Sequence, residues 1–288
     1  MRETAWVSAH AFYHADLDQL IVHAVSPLVT ELTAKQLMER YFFLRYWDGG
    51  LHLRLRVLPT NAAARQRVHE LIGDRFREYF AVNPATGRQS PEEYARMARL
   101  LARREGVAAY EPLPFPTNTL RYIPYQREHA RYGYGADVEA VERHFDDSSR
   151  IALDLLARGP SQDQRASAGL AMILITWFTG GRPQGGRPSA GVPDKVIDLA
   201  RQMRLLATRA AELPGQWPLV GWARSVADLA GTLAAQRETQ PVEGPQTGEV
   251  LDLCAHLVCN RLGISPALEG RLRQLAARAV AVLDEEAT

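Results

Sequence analysis

Residues Arg40–Val57 read RYFFLRYWDGGLHLRLRV, and this stretch decides the fold. Two runs of β-branched and aromatic character flank Asp48-Gly49-Gly50, the pattern of an antiparallel hairpin closed by a short glycine turn. The second arm alternates, with Leu51, Leu53, Leu55 and Val57 on one face and His52, Arg54 and Arg56 on the other. Side chains two residues apart on one face of a strand are about 7 Å apart. A pair of guanidinium forks at that spacing suits a carboxylate, a phosphate or a developing oxyanion. The plain alternative is an arginine-rich outer face that is simply solvated.

Outward from the hairpin, composition narrows the function classes. At 288 residues the chain can bury a substantial core. A net charge of +1 argues against a dominating electrostatic footprint for nucleic acid or an anionic membrane. Lys35 and Lys195 are the only lysines among 34 basic residues, so nearly every cationic site is a guanidinium. Cys254 and Cys259 have no second pair, which indicates neither a zinc site nor a disulfide framework. The longest apolar run, Ala168–Phe178, is too short to span a bilayer, and no signal peptide is recognisable. A cytoplasmic protein that contacts no membrane is expected.

In chain order, Trp6–Tyr13 has strand character, with Trp6, Ser8, His10 and Phe12 alternating against their neighbours. Asp16–Leu32 has helical spacing that Pro27 must interrupt or kink. Asn61 caps a helix over Ala62–Tyr79, and Ser90-Pro91-Glu92-Glu93 starts another that runs to about Arg104. Glu111–Pro116 is an extended connector and Thr119–Pro124 a strand. Tyr125–Gly135 is a tight loop or a short helical turn. A long amphipathic helix follows from Asp137 to Gly159-Pro160, then a more apolar one over Ser161–Thr179. Residues 180–192 read as a flexible loop without the pattern of a phosphate loop. Four more helices follow, over Asp194–Leu213, Pro218–Gln236, Gly248–Leu262 and Ser265–Asp284. Strands before residue 125 and helices after 136 give an α+β fold with an antiparallel sheet in its N-terminal part, expected to be one domain over 1–288.

Four places combine ionisable groups with a defined local geometry. The first is His52, Arg54 and Arg56. The second is Tyr125, Glu128, Arg131 and Tyr132, where a helical turn makes Glu128 and Arg131 neighbours; an ordinary surface ion pair is the alternative. The third is the polar stripe Asp252, His256 and Asn260, with Arg261 beside it. Opposite that stripe, Val250, Leu253, Cys254, Leu257 and Val258 form an apolar side. The fourth is Phe145-Asp146-Asp147-Ser148, whose Asp and Ser are poor mid-helix residues; a solvated face interrupting the apolar stripe is expected there. No HExxH, paired CxxC, nucleophile elbow or dinucleotide fingerprint is present. Guanidiniums, imidazoles, a carboxylate and phenols suit proton abstraction and oxyanion stabilisation without a cofactor or metal.

These places line up with a known family. Arg40–Val57 resembles the FxRYxDxxxHxRLR hairpin of the C-terminal domain of lantibiotic dehydratases and of stand-alone thiopeptide-type bacteriocin biosynthesis proteins. Tyr125–Gly133 (YQREHARYG) resembles that family's YxxExxRYGG, Val141–Ser148 (VERHFDDS) its ExxFxxDS, and His256–Arg261 (HLVCNR) its HxxxNR. Tyr134 replaces the second glycine after RYG. The third motif is one residue short, so no role is carried over from it.

The resemblance implies glutamate elimination. A partner esterifies Ser or Thr of a ribosomally made precursor peptide with glutamate from glutamyl-tRNA. Loss of the α-proton and of glutamate then leaves dehydroalanine or dehydrobutyrine. The family's catalytic residues carry over to Arg54, Arg56, Glu128, Arg131 and His256; His52, Tyr125, Tyr132, Asn260 and Arg261, in the same motifs, are expected to bind substrate. Arg54 and Arg56 are then expected to converge on His256 in one cleft. Glutamylation is expected from a separate tRNA-dependent protein, with no direct nucleic-acid contact here, and the resemblance leaves room for a homodimer. An alternative within the superfamily is the thiopeptide pyridine synthase, which joins two dehydroalanines by formal [4+2] cycloaddition with release of the leader. That branch does not keep the elimination residues, and this chain keeps all five. A non-catalytic scaffold that binds the precursor peptide is a third reading; the ionisable groups at motif positions speak against it.

Overall fold

The structure is a computed structural model that describes residues 6–87, 89–181, 191–214, 217–239 and 245–286. It separates into two compact units, Met1–Gln126 and Arg127–Thr288.

In the first unit the hairpin forms as β2 (Met38–Tyr46) and β3 (His52–Pro59). With β1 (Val7–Phe12) and β4 (Thr119–Tyr122) they make a four-stranded antiparallel sheet in the order β2-β3-β1-β4. Pairing Ala9 with Leu55, and Phe43 with Leu55 on the other side, puts Ala9, Ala11, Tyr41, Phe43, Leu53, Leu55 and Val57 on one face. All seven are buried. Each large side chain among them stabilises by about 1.5–3 kcal/mol relative to exposure, and a slip of one residue would turn the set outward. Leu51, expected on this face, instead lies in the hairpin loop and is exposed.

The loop is as tight as glycine permits. Gly49 and Gly50 have φ of +77° and +103°, and a Cβ at Gly49 would come 2.6 Å from the Phe115 ring. Three helical segments follow β1: α1 (Leu17–Leu20), a π-helical turn (Ile21–Val25) and α2 (Ser26–Ala34). Pro27 does not break the run. The Ser26 N–H bonds to the Ile21 carbonyl, and the widened turn precedes Pro27 in the first turn of α2, where its missing N–H costs little. Helix α3 (Ala62–Val82) packs on β1, β3 and β4. Helix α4 (Pro91–Glu105) opens on the Ser90–Glu93 capping box and ends at Gly106 in the left-handed region. Its Tyr94 accepts from the Gly49 N–H at 2.9 Å and donates to the Glu111 carbonyl at 2.7 Å. One phenol thus ties α4, the hairpin loop and the extended connector.

The second unit is helical: α5 (His129–Tyr132), α6 (Ala136–Leu156), α7 (Gln162–Gly180), α8 (Asp194–Arg209), α9 (Pro218–Thr239), α10 (Thr247–Arg261) and α11 (Pro266–Glu286). Helix α7, apolar nearly all round its middle, is in contact with α8, α9, α10 and α11, the expected place for such a helix. The loop expected over 180–192 falls largely on 182–190, outside the described residues. The apolar side of α10 is turned from the expected one. Leu251, Cys254, Ala255, Val258 and Cys259 are buried, while Leu253 and Leu257 are half-buried.

The expectation of a solvated face at Phe145–Ser148 is overturned. Asp146 is buried and pairs with Arg150, Ser225 donates to Asp147 at 2.7 Å, and Ser148 and Ser149 accept from Arg261. The polar residues hold neighbouring helices, which is why this helix tolerates them.

Candidate functional site

In the first unit, His52 is fully buried. Its Nδ1–H donates to the Gly50 carbonyl at 2.9 Å, and its Nε2 accepts from the Nε–H of Arg54 at 3.3 Å. Burial drives its pKa down to about 3; the Gly50 bond opposes this and the charges of Arg54 and Arg56 add to it. The imidazole is therefore neutral, in one tautomer, and acts as an acceptor that orients Arg54. Arg54 also stacks on Tyr46, 3.4 Å from the ring centroid, and Arg56 lies over Tyr125 at 4.3 Å and Phe42 at 5.2 Å. The face is thus an aromatic-lined guanidinium pair, with Arg56 buried and Arg54 half-buried, and the simply solvated reading does not hold for it.

The strand order brings in residues that the hairpin alone did not announce. On β1, Ser8 pairs with Arg56, and His10 pairs with Arg54 on one side and Arg121 of β4 on the other. His10 stacks on His52 at 5.1 Å between ring centroids, and burial, then His52 and the two arginines, lowers its pKa to about 2. Ser8 Oγ is buried without a hydrogen-bond partner. The alternation in Trp6–Tyr13 held the signal, but only the register shows which face it joins.

In the second unit, Glu128 and Arg131 pair at 3.3 Å, and both side chains are about half exposed. The amides of Arg131 and Tyr132 both bond to the Glu128 carbonyl, which makes the turn of α5. Arg127 clamps Glu142 of α6 at 2.8 and 2.7 Å, and Glu142 is buried, so this fork fixes the segment before α5 to the long helix. Tyr132 is buried edge-on against Phe145, and burial followed by the Glu128 charge raises its pKa, so the phenol stays protonated.

Arg261 lies across the same Phe145 ring, 5.1 Å from its centroid, and is fully buried with bonds to Ser149 and Ser148 at 3.0 and 3.2 Å. Arg261, expected to contact substrate, thus has its Nε and Nη1 bonded to seryl hydroxyls inside the helices. Asn260, beside it, is half-buried.

The His256 side chain is 41% exposed, and its Nδ1 lies 2.8 Å from Oε2 of Glu269. Arg273 donates from Nε to the other Glu269 oxygen at 2.8 Å and from Nη1 to Asp252 at 2.5 Å. Asp252 also accepts from the Trp177 indole at 2.8 Å. Burial alone would push the Glu269 carboxyl up; the bonds and charge from His256 and Arg273 outweigh it and hold the carboxyl below its ordinary range. Glu269 and Arg273 escaped sequence reading because Ser265-Pro266-x-x-Glu269 has the look of a helix start with a solvent-facing acid.

The structure thus groups His52, Arg54, Arg56 and Tyr125 in one unit, and Tyr132 with Arg261, Glu128 with Arg131, and His256 with Glu269 in the other. The expected convergence of Arg54 and Arg56 with His256 relates residues of different units and is carried forward as a proposal. Burial raises the pKa of both Cys254 and Cys259 to about 12, so both are protonated thiols. No group of three or more His, Cys, Asp or Glu among the described residues could hold a metal ion, and no helix among them is long and apolar enough to cross a membrane.

A search of curated proteins finds no match. Among solved structures, the pyridine synthase TbtD from thiomuracin biosynthesis superposes with a TM-score of 0.72 at 21% identity, covering 96% of this chain and 98% of that one. The tRNA-dependent lantibiotic dehydratase MibB from Microbispora sp. 107891 gives 0.57 at 18% identity, covering 99% of this chain and 29% of that one. TsrL gives 0.58 at 15% identity, with 96% and 94% covered. At these identities the likeness is one of fold. The model of the family described as lantibiotic biosynthesis dehydratase, C-terminal, matches residues 6–280, and the chain belongs to that family.

Proposed function

We propose that the protein eliminates glutamate from glutamylated Ser or Thr of a ribosomally made precursor peptide, leaving dehydroalanine or dehydrobutyrine. The observation that carries this reading is the oriented guanidinium pair Arg54/Arg56, in a chain that keeps Glu128, Arg131 and His256 at the family's motif positions. In the reaction the Cα–H bond of the esterified residue breaks and its electrons are held as the amide enolate. They return to form the Cα=Cβ bond as the Cβ–O bond breaks and the glutamate carboxylate departs with that pair.

An amide α-proton is too weakly acidic for a free imidazole, so the enolate-like oxyanion needs preorganised donors, each worth about 3–4 kcal/mol. Arg54, aimed by His52 and Tyr46, supplies one such fork, and Arg56 suits bidentate capture of the leaving carboxylate. His256 exchanges the proton. Glu128 orients Arg131, and Tyr132 is a protonated phenol beside them. A separate tRNA-dependent protein supplies the glutamate ester. Neither reaction step calls for a cofactor.

A second reading, pyridine synthesis by formal [4+2] cycloaddition, is favoured by one observation: near end-to-end superposition with TbtD in both directions. One assay separates the two. The purified protein is given a glutamylated precursor peptide and, separately, a peptide already carrying two dehydroalanines, and products are followed by mass spectrometry. Elimination predicts loss of glutamate from the first. Intact glutamylated peptide, with cyclisation and leader release from the second, replaces elimination by the alternative. Turnover of neither peptide leaves the scaffold reading.

A further inference from the structure

We propose that Glu269 is the positioning residue of His256: its carboxylate holds the imidazole in the Nδ1–H tautomer, so that Nε2 is the nitrogen that takes up and returns a proton. The catalytic half of this inference rests on the elimination reading; the tautomeric half does not.

The argument is one of hydrogen-bond accounting. Glu269 is buried, and each of its oxygens has one partner, Arg273 Nε on Oε1 at 2.8 Å and His256 Nδ1 on Oε2 at 2.8 Å. Arg273 can only donate, and it is itself fixed by Asp252 through the carboxylate at 2.5 Å and the backbone carbonyl at 3.1 Å. Asp252 in turn is held by the Trp177 indole. Trp177 and Arg273 donate to Asp252, and Arg273 donates to Glu269, whose carboxyl is held below its ordinary range; its ionised Oε2 can only accept, so it meets a nitrogen that must donate. The Nδ1 proton is assigned, and the lone pair falls to Nε2. Free imidazole side chains favour the opposite tautomer, so without the carboxylate the base would present an N–H where it needs a lone pair.

Glu269→Gln is the test, because the amide preserves shape but has one acceptor. Arg273 claims its oxygen, the NH₂ turns to His256 Nδ1, and the ring proton moves to Nε2. Nitrogen NMR of ¹⁵N-histidine-labelled protein, at a pH where His256 is neutral, is expected to show Nδ1–H in the parent and Nε2–H in Glu269→Gln. Adding Arg273→Met frees the amide to rotate and restores Nδ1–H. Glutamate release by Glu269→Gln is expected to fall about 10²–10⁴-fold in kcat with KM unchanged.

The same tautomer in parent and Glu269→Gln overturns the proposal, as does a reversed tautomer with unchanged kcat. If the parent releases no glutamate, the elimination reading fails, while the nitrogen spectrum still decides whether Glu269 sets the tautomer.

Discussion

Arg54 Nε lies 3.3 Å from His52 Nε2, and the acceptor is a fully buried imidazole whose other nitrogen is spent on the Gly50 carbonyl. The turn therefore aims the arginine: Gly50 fixes the tautomer of His52, and His52 fixes the fork. Charge alone should not replace it. Arg54→Lys keeps the cation but loses the Nε–H donor and the planar stack on Tyr46. We expect glutamate release to fall about 10²–10³-fold, the cost of a lost oxyanion donor. Accumulation of glutamylated peptide by mass spectrometry is the readout. Turnover within a few-fold of the parent would remove Arg54 from the machinery.

Buried neutral histidines make the fold acid-labile in a stated window. His10, His52 and His144 have pKa values lowered to about 2, 3 and 3 from 6.5, with burial the largest cause in each. Between those values and 6.5 the unfolded chain binds protons that the folded chain refuses. Stability contributed by these groups is complete above 6.5 and lost as pH falls below it. Each contributes a slope of up to about 1.4 kcal/mol per pH unit in that window. Urea unfolding at several pH values is expected to show the loss. His144→Phe should flatten the slope for the second unit, since Ser225 keeps its bond to Asp147 when His144 is gone. An unchanged slope would mean that His144 is protonated in the folded protein.

How far the sequence could be read follows from the range of the interactions. The hairpin, the polar face of β3 and the helix starts at Ser90-Pro91 and Ser161 are written in neighbours two to four residues apart, and they form as read. The placing of β1 beside β3 is not local, so His10 and Arg121 joined the arginine face unannounced. Glu269 has the sequence look of a helix-start acid, and only the approach of α10 to α11 turns it toward His256. The Phe145–Ser148 run reads as solvated because nothing nearby in sequence shows that Ser225 and Arg261 arrive from helices about 80 and 110 residues away.

Tyr94 offers a test of how the hairpin loop is held. Its hydroxyl is both acceptor for Gly49 and donor to Glu111, in a cluster with Trp47, Ala98 and Ala102. Tyr94→Phe keeps the packing and leaves a backbone N–H and a carbonyl without that partner. A loss of about 1–3 kcal/mol in urea unfolding is expected. Because the same loop carries the Gly50 carbonyl that fixes His52, kcat should fall with it. Reduced stability with unchanged kcat would detach the loop from the orientation of Arg54.

Arg261 decides between two roles for the last residue of the HLVCNR motif. Its guanidinium is buried, bonds to Ser148 and Ser149, and faces Phe145, whose ring also packs against Tyr132. If Arg261 acts by packing, Arg261→Met fills the space but strands two seryl hydroxyls, with an expected loss of about 1–3 kcal/mol. KM for the glutamylated peptide should stay within about two-fold of the parent at temperatures well below unfolding, because no substrate contact has been removed. If Arg261 instead binds substrate, KM rises while the unfolding midpoint barely moves. Measuring both quantities on the same preparation separates the two, since each role moves one of them and spares the other.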